Sequence, residues 1–166
     1  MNPPARSAVV RAIFWGGLLC GVLDIGYGLT LRTIEGKDPF RLLQMVAGSL
    51  LGPAAFKAGG LSIALGFVMH FTVAFTLATI YGAFHRRVAW VRENTLVAGL
   101  VFGACAYVGM YWGTLPLCAL IRGMYQSDAR VMFFPLSLEG FAMQGLLVGL
   151  PIALAARWNL DPRKPT

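Results

Sequence analysis

The chain has 166 residues, 57% of them hydrophobic and 13% charged, with a formal net charge of +7. A soluble domain carries nearer a quarter charged residues, so a water-surrounded globule is excluded, and with it the reading of the basic excess as a nucleic-acid face. Four stretches almost empty of charge predict an all-α polytopic membrane protein instead, a four-transmembrane-helix bundle in one domain over 1–166. The runs are continuously apolar and much longer than a barrel strand, which excludes a β-barrel.

Span 1 covers about 12–31, between Arg11 and Arg32, and is interrupted only by Asp24. Arg6 and Arg11 before an apolar run resemble a secretory signal. No small-x-small cleavage site follows, and three further spans make it a first transmembrane helix. Leu18-Leu19-Cys20 is not a lipoprotein cleavage box, because Leu19 stands where a small residue is needed. The 32–60 connection is longer than a simple hairpin. Asp38-Pro39 reads as an N-cap followed by proline at the first helical position, and Gly52-Pro53 as a stop. The piece between, about 39–51, is too short to span, so it is expected to lie as a short interfacial helix or to be re-entrant between helices 1 and 2.

Span 2 covers about 61–84, with His70 its one titratable group, and ends at His85-Arg86-Arg87. Span 3, about 95–121, carries no formal charge. Residues 122–135, with Asp128 and Arg130 and closing on Met132-Phe133-Phe134-Pro135, form an outer loop into span 4. Span 4, about 135–156, contains only Glu139. Arg6, Arg11, Arg86, Arg87, Arg92, Arg157, Arg163 and Lys164 fall on one side. Arg32, Lys37, Arg41, Lys57, Arg122 and Arg130 fall on the other, in longer segments, so both termini are placed in the cytoplasm. Cys20, Cys105 and Cys118 are odd in number and lie in apolar runs, as small buried side chains do.

Each span carries small residues four apart: Gly17 and Gly21, Ala78 and Gly82, Gly99 and Gly103, Gly145 and Gly149. Gly109 and Gly113 add a second pair to span 3. Small residues let helix backbones approach closely, so these positions predict tight packing and a face for a homodimer or a membrane-protein partner.

Ionisable groups within a bilayer are costly and mark sites of use. Counted from the outer ends at 1.5 Å per residue, Asp24 lies roughly 10 Å deep, Tyr107 roughly 12 Å, and His70 and Gln144 roughly 14 Å. Glu139 is shallower, near roughly 6 Å by the same rise. Asp24, His70, Tyr107, Gln144 and Glu139 are thus the candidate intramembrane polar layer. As chemistry, Asp24 and His70 pass a proton or hold a cation, ordered by Gln144 and Tyr107. As packing, the same two residues satisfy one another and lock helix register, and Gln144 and Tyr107 simply fill space. Glu139 reaches the outer interface or pairs with Arg130 or Arg122.

No catalytic residue is assigned: Gly48-Ser49-Leu50-Leu51-Gly52 lacks the glycine spacing of a nucleophile elbow, and no phosphate-binding or zinc motif occurs. No cofactor or metal is expected. His70 and His85 are separated by about 22 Å of one helix, too far to share a haem iron.

Several strings resemble those of a loosely defined set of small four-helix bacterial inner-membrane proteins of unknown function. They are Leu23-Asp24-Ile25, Leu43-Gln44 through Leu51-Gly52 to Gly59-Gly60, Leu65-Gly66 to His70-Phe71, and Gly149-Leu150-Pro151-Ile152-Ala153-Leu154. The resemblance implies a bacterial inner membrane and supplies no activity. Three functions are weighed. The first is a non-catalytic membrane protein acting through partner or lipid contacts. The second is a small proton-coupled or cation-linked transport protein using Asp24 and His70. The third, a lipid-directed enzyme, is the weakest, because the layer lacks a nucleophile with its base.

Overall fold

The computed structural model describes residues 5–123 and 137–161. Helix α1 runs Arg6–Ile34, α2 Arg41–Leu51, α3 Gly60–Arg87, α4 Ala89–Glu93, α5 Thr95–Gly123 and α6 Leu138–Leu160. Among the described residues there is no strand, and α1, α3, α5 and α6 are long and apolar enough to cross a membrane. Helices α1, α3 and α5 extend past the apolar runs read from the sequence, because helix geometry continues into the polar flanks; α6 begins at Leu138, inside the expected 135 start, and runs past the expected end to Leu160. The 122–135 loop, apart from Arg122 and Gly123, and the tail beyond Asp161 lie outside the described residues.

Small residues face inward and large ones outward. The buried side of α1 is Ala8, Ala12, Gly16, Gly17, Cys20, Gly21 and Ile25, spaced at one face of a 3.6-residue turn. Phe14, Trp15, Leu19, Val22 and Leu23 point away from the bundle. A soluble bundle buries its large apolar side chains; here they are the outer surface, as hydrocarbon surroundings favour. Helix α1 packs against α6 and α3, and α5 packs along α6. The core centres on Cys20, Ala74, Ala78, Tyr81, Val148, Ile152 and Ala153.

Backbone meets backbone where glycines allow it. A Cβ on Gly149 would collide with the Gly99 carbonyl and stand 2.7 Å from Gly103 N, and one on Gly103 would collide with the Gln144 carbonyl. Gly17 and Gly21 instead receive the rings of Phe75 and Phe71. Gly82, for which tight packing was expected, has nothing within 4 Å of a built Cβ.

Helix α2 does not stand apart from the bundle. It lies across α3 and touches the last turns of α5, with Leu43 and Ala47 buried. Its backbone at Leu43 occupies the space a side chain at Gly66 would need. Arg122 Nη1 donates to the Gly48 and Ser49 carbonyls at 3.2 and 3.5 Å at the C-terminal end of the helix, where the Gly52 N–H also reaches the Gly48 carbonyl. The start differs from the sequence expectation. Pro39 and Phe40 form a turn in which the Asp38 carboxylate accepts the Phe40 N–H at 2.9 Å, and the helix begins at Arg41. The stop is as expected, with Gly52 at φ +63°, a backbone glycine adopts without strain.

Two π-helical turns, Met110–Thr114 in α5 and Gly145–Gly149 in α6, were not foreseen. Each ends two residues before a proline, Pro116 and Pro151. Proline supplies no N–H to the preceding turn and its ring crowds the carbonyl four residues back, so the turn widens. The prolines were legible; the turns they cause re-aim the residues before them.

Candidate functional site

Three of the five layer residues come together. Gly21 lets α3 approach α1, and at that level the His70 Nε2–H donates to the Gly21 carbonyl at 2.9 Å. One turn further along α1, Asp24 Oδ2 lies 3.9 Å from His70 Nδ1. From α6, immediately before its π turn, Gln144 Nε2 donates to Asp24 Oδ1 at 3.0 Å. The Asp24 side chain is 28% exposed and that of His70 14%, so the cluster is shielded but not sealed.

The hydrogen bonds fix what the cluster can hold. A carbonyl only accepts, so His70 Nε2 carries a hydrogen. In neutral His70 the lone pair is then on Nδ1, facing a carboxylate oxygen. Two acceptors at that separation require something between them: a proton on either atom, or a donor such as water bonded to both. Gln144 holds the other carboxylate oxygen, which leaves Oδ2 as the reactive one. The arrangement has room for one proton between the two side chains, and no nucleophile stands in it. Cys20, one turn away on α1, spends its thiol on the Gly17 carbonyl at 3.5 Å and is buried.

The remaining candidates fall elsewhere. Tyr107 packs edge-on against Phe141 and Tyr111, with ring centroids 5.2 and 5.0 Å away, and its hydroxyl fills the space beside Gly140. It packs between α5 and α6, one of the two roles read for it from the sequence. Glu139 accepts a hydrogen bond from Tyr27 Oη at 2.7 Å, a partner not considered from the sequence; Arg130 lies outside the described residues.

A second histidine–carboxylate pair was missed. His85, at the opposite end of α3, is 1% exposed, and its Nε2 meets Asp161 Oδ1 at 2.7 Å. Among the described residues, its Nδ1 and the Tyr81 hydroxyl have no hydrogen-bond partner. Positions 70, 74, 78, 81 and 85 share one helical face, so the burial of His85 was signalled by spacing. Its partner, 76 residues away, was not. Asp161→Ala is expected to strand a buried N–H and to cost about 1–3 kcal/mol. Thermal unfolding in detergent measures it, and an unchanged midpoint would show that the pair contributes nothing.

Comparison of the chain with protein-family models, curated proteins and solved structures finds no match.

Proposed function

We propose that the chain is a small multi-pass protein of the bacterial inner membrane, with both termini cytoplasmic, that moves protons through the Asp24–His70 pair. The carrying observation is the orientation of His70: its Nε2 is held by the Gly21 carbonyl while Nδ1 faces a carboxylate 3.9 Å away. Such a pair retains one proton and can release it to either side of the membrane when its surroundings change. Placed across α1, α3 and α6, it also reports the relative position of three helices, so proton occupancy and helix arrangement are coupled. Helix α2, which rests on α3 one turn beyond His70 at Gly66, is the re-entrant cover between this pair and the outer side.

The test is proton flux into liposomes holding a trapped pH dye, driven by a potassium diffusion potential. Wild-type protein should acidify the lumen and Asp24→Asn should do so at least about tenfold more slowly, the loss expected when a proton-carrying group is removed. Wild-type liposomes indistinguishable from empty ones would reject the transport reading. A second reading, a non-catalytic protein acting through a partner, is favoured by one observation. Gly109 and Gly113 on α5 have nothing within 4 Å of a built Cβ, which leaves room for a neighbouring helix.

A further inference from the structure

We infer that the groove between α1 and α6 is a binding site for one anionic phospholipid of the leaflet nearest the chain termini. Its walls are two matched rails, Trp15, Leu19 and Leu23 on α1 and Leu146, Leu150 and Leu154 on α6. Each rail repeats every four residues, and the helices run in opposite directions, so Leu23 lies towards Leu146 and Trp15 towards Leu154. The groove encloses about 940 Å³. From Leu146 to Asn159 it follows roughly 20 Å of α6, at 1.5 Å per residue. That exceeds the half-thickness, roughly 15 Å, of a bilayer core.

The groove has a structural cause. At Gly16 the two helices approach so closely that a Cβ would lie 3.5 Å from the Ile152 Cα and 3.6 Å from the Ala155 Cβ. Small residues at the crossing bring the backbones together, and the leucines on one flank are splayed apart. Pro151 and Ala155 form part of its lining, too short to fill the gap.

One end of the groove is chemically different from the rest. Arg157, Trp158 and Asn159 close it, and Arg157 is exposed with no carboxylate partner among the described residues. Arg11 lies one turn before Trp15 on α1 and is also exposed, which adds a second cation on the α1 side beyond this end of the groove. Trp15 and Trp158 supply the amphipathic rings that favour the headgroup level of a membrane. A cationic mouth on an apolar groove about one leaflet deep matches a phospholipid, with its phosphate on the Arg157 guanidinium and an acyl chain along the leucines. A second copy of the chain fits less well. A symmetric dimer through this face would bring both copies of Arg11 and Arg157 to one end, like charge against like. The inference requires that the helices span a bilayer, but it is independent of proton movement at Asp24.

The experiment is native mass spectrometry of the full chain released from detergent after equilibration with equal amounts of phosphatidylglycerol and phosphatidylcholine. One phosphatidylglycerol should be retained per chain in at least fivefold preference. Arg157→Ala should abolish that preference, and Arg87→Ala, a basic residue outside the groove, should leave it intact. Equal retention of the two lipids by wild-type protein would overturn the site. So would a preference that survives Arg157→Ala, or one lost equally in Arg87→Ala, which would indicate a diffuse basic belt. Protein that stays monodisperse without detergent would defeat the membrane reading itself, a failure distinct from loss of headgroup preference.

Discussion

Gly149→Leu is expected to part α5 from α6 and to cost at least about 3 kcal/mol, the upper range for overpacking. The obstacle is backbone. A Cβ at 149 would collide with the Gly99 carbonyl and lie 2.7 and 2.9 Å from Gly103 N and Cα. Neither atom can turn aside as a side-chain tip can. The collision also falls inside the π turn that ends at Gly149, directly after the segment presenting Gln144 to Asp24. Parting the helices should therefore loosen the polar cluster as well as the packing. Gly109→Leu is the matched control: it adds the same bulk to a helix position with open space around it, and the monomer should tolerate it. Unfolding midpoints in one detergent decide the matter. Equal midpoints for the two variants would show that α5 and α6 do not rely on this contact.

Asp24→Asn should remove proton flux while leaving the fold intact. Asparagine keeps the shape, and its carbonyl oxygen can still accept from Gln144 Nε2. What disappears is the atom that exchanges a proton with His70 Nδ1. If the cluster serves only to lock helix register, the Asp24→Asn midpoint read beside that of Asp24→Leu, which breaks the pair under either reading, separates the cases. Replacing buried polar groups with apolar ones of similar volume is often neutral or stabilising, whereas breaking a pair by removing one member costs about 3–5 kcal/mol. A proton site therefore predicts that Asp24→Asn loses flux with a wild-type midpoint. A register lock predicts a lowered midpoint in both variants and no flux in any form. Stability and flux measured on the same preparations distinguish the two.

Position along each helix was legible in the sequence. The absence of charge over 95–121 and the lone Asp24, His70 and Glu139 in the other three runs placed the helices and fixed where along each one its polar group stands. The small residues also read directly, because Gly99, Gly103, Gly145 and Gly149 are the positions where α5 and α6 meet. The prolines at 116 and 151 were visible, though the widened turns before them were not read from them.

Rotation about each helix axis was not legible. When nearly every side chain is apolar, hydropathy differs little around the helix, and no strong polar face indicates which side turns outward. Depth alone therefore grouped Tyr107 with Asp24, although it packs on Phe141. It also pointed Glu139 to the outer interface or to Arg130 or Arg122 and gave no sign of Tyr27, whose hydroxyl donates to it. The 144-to-24 and 85-to-161 contacts join residues far apart in sequence, and nothing local encodes them. The sequence by itself determined four apolar helices, the small-residue seam between α5 and α6 and the position of each polar group along its helix. Only the tertiary structure decided which of those groups meet, because close glycine contacts and two proline-widened turns set the rotation of each helix against its neighbour.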